Sequence, residues 1–150
     1  MKIFLIGVIV ALLVSSSINF HYLQEIANNE KEYISAFATL IDNTFKSSSN
    51  VLETTGETQR SHLYNLHKNL IQIDTLYKIH PNDMYYEYFK EYDRMVEEYL
   101  NNPSLQIDPE QIRELNKDLG TLRKHYFVDF EIKDISLQQF DKHLLVITQN

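Results

Sequence analysis

Three glycines and three prolines in 150 residues leave this chain without the turns of a β-sandwich or barrel, whose many reversals draw on those two residue types. Long helices joined by a few breaks are what remains. A chain of this length supports one hydrophobic core, and with 43% hydrophobic and 23% charged residues it has the apolar content to build one. The predicted fold is all-α: an antiparallel helical bundle of about four to five helices after an amino-terminal apolar segment.

That segment follows Met1 and Lys2. Residues 3–14 carry no polar side chain, and Ser15, Ser16 and Ser17 come next. A lone cation before such a run, with small residues at Ser15 and Ser17, is the pattern of a cleavable secretory signal. An uncleaved anchor fits as well. A membrane span needs about 20 residues, and residues 3–23 supply them if the serines, Asn19 and His21 sit near the outer end, where hydroxyls can bond back to helix carbonyls. Lys2 and the terminal amine precede the run, whereas Lys31 beyond it stands among Glu25, Glu30 and Glu32, so the positive-inside bias places the amino terminus in the cytoplasm. The chain is thus divided into an anchor or signal segment, residues 1–23, and an extracytoplasmic helical domain, residues 24–150. Uncleaved, it is a single-pass protein of the cell membrane; cleaved, a secreted one.

From Leu23 onward, Ile26, Ala27, Tyr33, Ile34, Phe37, Leu40, Ile41 and Phe45 fall on one side of a helical wheel, which predicts a long amphipathic first helix. Ser47 to Asn50 and Thr54-Thr55-Gly56 are weak helix formers, which puts its end between Lys46 and Thr58. Leu63, Leu66, Leu70, Ile73 and Tyr77 then repeat in steps of three and four, as in bundles and coiled coils, and this helix ends at His80-Pro81. A third helix is predicted over residues 82–101, with Asn82 or Asp83 as its cap. Asp108-Pro109-Glu110-Gln111 reads as the start of a fourth, whose stripe is Ile112, Leu115, Leu119, Leu122 and Tyr126; Gly120 lies off that stripe at a cost of about 1 kcal/mol relative to Ala. Residues 127–134 suit a short strand or a continued helix equally. Ser136 and Gln139 have capping-box spacing for a short fifth helix with Leu137, Phe140, Leu144 and Ile147 as its stripe.

Composition excludes several kinds of chemistry. A formal charge of −7, from 21 acidic against 14 basic residues, opposes the phosphate neutralisation that nucleic-acid binding requires. The absence of Cys removes disulfides, thiolate nucleophiles and Cys-ligated metals. Six histidines are present, yet no HExxH occurs and no two lie three or four apart; His62 and His67 diverge by about 140° on a helix, so no metal site is expected. Neither GxSxG, a glycine-rich phosphate loop nor SxxK is found. Glu87, Glu91, Glu97 and Glu98 share the charged side of the third helix with Lys90, Asp93 and Arg94, as on a solvated face. Glu30 falls within the apolar stripe of the first helix, where snorkelling near a membrane or pairing with a base across the bundle is favoured over a role as a functional acid.

The compositional oddity is tyrosine. Tyr85, Tyr88, Tyr92 and Tyr99 share the third helix's apolar side with Phe89, Met95, Val96 and Leu100, while the wheel leaves Tyr86 outside. Tyrosines on that side are either core residues with hydroxyls reaching water or the wall of a binding groove. Tyr86, Tyr88 and Tyr92 are the candidate partner-binding residues. The expected activity is therefore non-enzymatic: a membrane-tethered extracytoplasmic bundle acting by protein–protein interaction, with no cofactor, no metal and no nucleic acid. A ligand-sensing bundle that signals through a membrane partner is the alternative, and a small cell-envelope enzyme a further one.

Overall fold

In the computed structural model the periodic apolar stripes close on one another as an all-α bundle. It describes the backbone of residues 2–77, 83–102, 104–128 and 131–148, and the side chains of 28–76, 87–102, 104–127 and 131–145. Five helices are described: α1 (Lys2–Glu53), α2 (Gly56–Tyr77), α3 (Asp83–Asn101), α4 (Pro109–Tyr126) and α5 (Leu137–Thr148), with a two-stranded hairpin, β1 (Phe127–Val128) and β2 (Glu131–Ile132), between the last two. α1 lies between α2 and α4, α2 also packs on α3, and α5 crosses the end of the bundle against α1, α3 and α4. Cross-helix bonds set the directions. Asn69 donates to Ser47, and Gln59 to the Val51 carbonyl; Asn116 bonds to Ser48 and Arg123 to Asp42; His67 meets Asp93, and Arg60 the Leu100 carbonyl. In each pair of helices one number rises as the other falls, so successive neighbours are antiparallel.

The stripes read from sequence are the core. Leu63, Leu66, Leu70 and Ile73 of α2, and Ile112, Leu115, Leu119, Leu122 and Tyr126 of α4, are buried, as are Tyr33, Ile34, Phe37 and Ile41 of α1. Leu23, Ile26, Ala27, Tyr77, Tyr85 and Ile147, assigned to the same stripes, have side chains outside the described residues, and so do His80-Pro81 and Asn82, the expected helix stop and cap. Glu30 is half-buried.

α1 extends further toward the amino terminus than the stripe from Leu23 suggests, and it ends inside the expected window. It starts at Lys2 and runs to Glu53 without a break at residue 23, about 78 Å of helix at 1.5 Å per residue. Among the described residues no helix is long and apolar enough to cross a membrane; segment 3–23, on which the anchor expectation rests, has side chains outside that set. At the other end the weak formers Ser47, Ser48 and Ser49 stay helical because tertiary contacts occupy their hydroxyls. Ser48 and Ser49 donate back to the Phe45 carbonyl at 2.9 and 3.0 Å, Thr44 to the Leu40 carbonyl at 2.6 Å, and Asn69 and Asn116 cover the hydroxyls from the flanking helices. A polar layer this well satisfied can be buried with little desolvation loss. Thr44, Ser47 and Ser48 are accordingly inside, and the reversal falls at residues 54–55, followed by Gly56 at φ +64°, a value that favours glycine.

The other helix ends follow local chemistry. Asp108 caps α4 by accepting from the Glu110 N–H at 2.9 Å, with Pro109 in the first turn. Gln111 instead accepts from the Tyr99 hydroxyl at 3.2 Å, and that hydroxyl takes the Asp108 N–H at 2.9 Å. Ser136 and Gln139 form the reciprocal capping box. Between them, the stretch left open as strand or helix forms the hairpin, in antiparallel register Phe127 to Ile132 and Val128 to Glu131.

Candidate functional site

α3 approaches α2 closely but stands further from α4, whose neighbours are chiefly α1 and α5. Tyrosines span that more open seam, since a phenol combines a long apolar body with a polar tip. Near one end Tyr99 is buried and bonded to Gln111 as described; near the other the Tyr88 hydroxyl donates to the Asp118 carboxylate at 2.6 Å. Tyr88 lies edge-on to Phe89 at 5.2 Å and to Tyr92 at 5.1 Å. Burial, reinforced by the Asp118 acceptor, drives the Tyr88 pKa far above a free phenol's, and burial also raises that of Tyr92. Both stay protonated donors.

Tyr88 and Tyr92 are half-buried, packed against the core cluster without being wholly inside it. The structure brings these two together; Tyr86, the third candidate, has its side chain outside the described residues. Removing only the Tyr88 hydroxyl, in Tyr88→Phe, is expected to cost about 1–2 kcal/mol: a hydrogen bond to a charged acceptor contributes about 1.5–3 kcal/mol when buried, and partial exposure lowers that. Urea midpoints at constant m-value measure it. A loss below about 0.5 kcal/mol would leave the Tyr88–Asp118 bond no part in holding α3 to α4.

Three further polar clusters were not visible in the sequence. His67 Nδ1 and Asp93 Oδ1 lie 2.8 Å apart across α2 and α3; burial pushes the Asp93 pKa up, and the facing His67 opposes that. Asp93, placed by the wheel on the solvated face, is therefore half-buried in an interhelix contact. A His–Asp pair can orient a general base, but among the described residues no nucleophile is hydrogen-bonded to His67, and the pair's demonstrable role is to join two helices.

The second cluster centres on Asp42 of α1, whose two oxygens receive Arg123 Nε of α4 and Lys46 Nζ, each at 2.5 Å. Burial alone would raise the Asp42 pKa; the hydrogen bonds and charges of Lys46 and Arg123 outweigh it and hold the group below the ordinary carboxylate value. The third stacks His125 on His143, with ring centroids 4.5 Å apart, beside Tyr126, whose buried hydroxyl has no hydrogen-bond partner among the described residues. Burial, followed by the charges of His125 and Lys133, lowers the His143 pKa. Among the described residues no group of three or more His, Asp or Glu side chains is arranged to hold a metal.

Each cluster links elements far apart in the chain, which is why periodicity could not reveal it. No protein-family model matches this chain, and no curated protein or solved structure is significantly similar to it.

Proposed function

We propose that this protein is a membrane-tethered, non-enzymatic helical module, carried outside the cytoplasm, that works by binding another protein. The observation that carries the reading is the continuity of α1: the helix whose first turns hold the apolar run 3–14 is the same helix whose later turns, Tyr33 to Val51, supply the bundle core. A tether joined to its domain by unbroken helix has no flexible linker, so the bundle's position and tilt follow those of the anchor. The end holding α5 and the hairpin, near Tyr33 and Lys31, then faces the membrane, and the 54–55 reversal and the α3–α4 connection face away. Tyr88 and Tyr92, with the neighbouring Tyr86, are the proposed partner-binding residues on the flank of α3. The half-buried rings of Tyr88 and Tyr92, set in order by packing, would contribute apolar contact area at small entropic cost.

Protease added outside intact protoplasts tests the topology. Digestion of the bundle with the amino-terminal segment protected is expected, because Lys2 biases that end inward. Full protection would overturn the orientation, and a mature chain beginning just after Ser17 would replace the anchor with a secreted form. Partner contact is tested separately by cross-linking from position 86 in the membrane: an adduct with one defined protein that disappears in Tyr92→Ala, with urea midpoints checked in parallel, supports the surface.

A further inference from the structure

Between α1, α4 and the start of the hairpin lies a cavity of about 520 Å³ lined by Asp42, Phe45, Lys46, Gly120, Arg123, Lys124 and Phe127. This volume is within the range of small-molecule sites. Three cations and one carboxylate line it, a local charge of +2 on a chain whose formal charge is −7. Asp42 cannot cancel that excess by binding more tightly, since it already receives Arg123 and Lys46 and is held ionised by them. Arg123 uses Nε for Asp42 and lies over the Phe45 ring at 5.2 Å, and no bond from its Nη groups to a described residue is found. Those two donors form the fork that matches a carboxylate or phosphate.

The apolar part of the cavity is built as deliberately. Phe45 and Phe127 are half-buried against the core. The Phe45 carbonyl is fixed by Ser48, Ser49 and Asn116. Gly120 supplies the remaining space: a Cβ there would stand 3.2 Å from Phe45 Cε2, so any side chain would push the ring. The helix-interior glycine, off the stripe and costly by propensity alone, is explained by this contact.

We infer that the cavity binds a small organic anion, its oxyanion held by Arg123 with Lys46 and Lys124 and its apolar body lying against Phe45 and Phe127. This inference is independent of the tether and of the α3 surface; it adds a ligand to a module proposed on other grounds to bind protein. Carboxylate and phosphate share the required charge, and the experiment tests the anionic group and the apolar body separately.

Calorimetric titration of the full chain with naphthoate, naphthamide and inorganic phosphate is the test. Naphthoate is expected to saturate one site, with naphthamide at least about tenfold weaker, the equivalent of one lost charge contact of about 1.4 kcal/mol. Phosphate alone is expected to be weaker than naphthoate by a similar factor; equal binding of phosphate would remove the apolar part of the proposal. Lys124→Gln, at an exposed side chain, should weaken naphthoate several-fold without changing the urea midpoint. Arg123→Lys keeps the charge and the Asp42 pairing but loses the fork, and a larger loss is expected. Absence of saturation in the wild-type chain, equal binding of acid and amide, or affinities unchanged in both variants would each overturn the site.

Discussion

Replacing Phe37 by Ala is expected to remove about 3–5 kcal/mol of stability, the range for deleting a core aromatic. Phe37 is fully buried, and among the described residues it packs against Phe140 edge-on at 5.0 Å, Phe89 edge-on at 6.3 Å, Tyr126 edge-on at 6.4 Å and Tyr33 tilted at 6.4 Å. Those partners come from α5, α3, α4 and α1, so one side chain joins four helices. Each aromatic pair contributes about 0.5–1.5 kcal/mol beyond area burial, and a rigid set of large rings collapses poorly into the space left behind. Against a total stability of about 5–15 kcal/mol for a domain of ordinary size, the variant should lose much of its cooperativity margin. Urea unfolding followed by circular dichroism measures it, with the m-value as the check that the unfolded state is unchanged. A loss under about 1.5 kcal/mol would mean that α5 does not close over the aromatic cluster in solution.

This node shows what the sequence could and could not reveal. Phe37, Phe89, Tyr126 and Phe140 each sit on a stripe readable from helical spacing, because burial of one face imposes a period of 3.6 on the local chain. That the four stripes meet at one point is tertiary information, and no local period encodes it. The polar groups make the same point. Asn116 lies 68 residues from Ser48, and Arg123 lies 81 from Asp42; each taken alone reads as a surface residue or a weak helix former. Asp93 was assigned to the solvated side for that reason, and only His67 on the adjacent helix draws it in. Strands of two residues, as in the hairpin, are too short to show alternation, so sequence left residues 127–134 open between two structures. Gly120 carried the one readable irregularity, a glycine inside a strong helix, but its meaning depended on the ring of Phe45 against it. The tyrosines were legible as an apolar face; that Tyr88 reaches Asp118 and Tyr99 reaches Gln111 across an open seam was not.

Proline at position 48 distinguishes the continuous α1 from a helix that stops at the serine run. Ser48 is fully buried, within a helix that runs five residues further, to Glu53. A proline there removes the amide that bonds to the carbonyl four residues earlier and drives its ring into that carbonyl, a cost of about 3 kcal/mol or more. It also removes the hydroxyl that accepts from Asn116 at 2.8 Å, leaving Asn116 with fewer acceptors in the α1–α4 interface. Both effects act on the packed stretch of α1, where kinking would pull Val51 away from the core. The same substitution at Thr55 lies in the connection between α1 and α2, outside both helices, breaks no such bond, and is expected to cost no more than about 1 kcal/mol. Measured side by side as urea midpoints, the two variants should therefore differ by at least about 2 kcal/mol. If Ser48→Pro were as mild as Thr55→Pro, the first helix would end before the serines. The polar layer of Ser47, Ser48 and Asn116 would then belong to a loop rather than to the seam where α1 meets its neighbours.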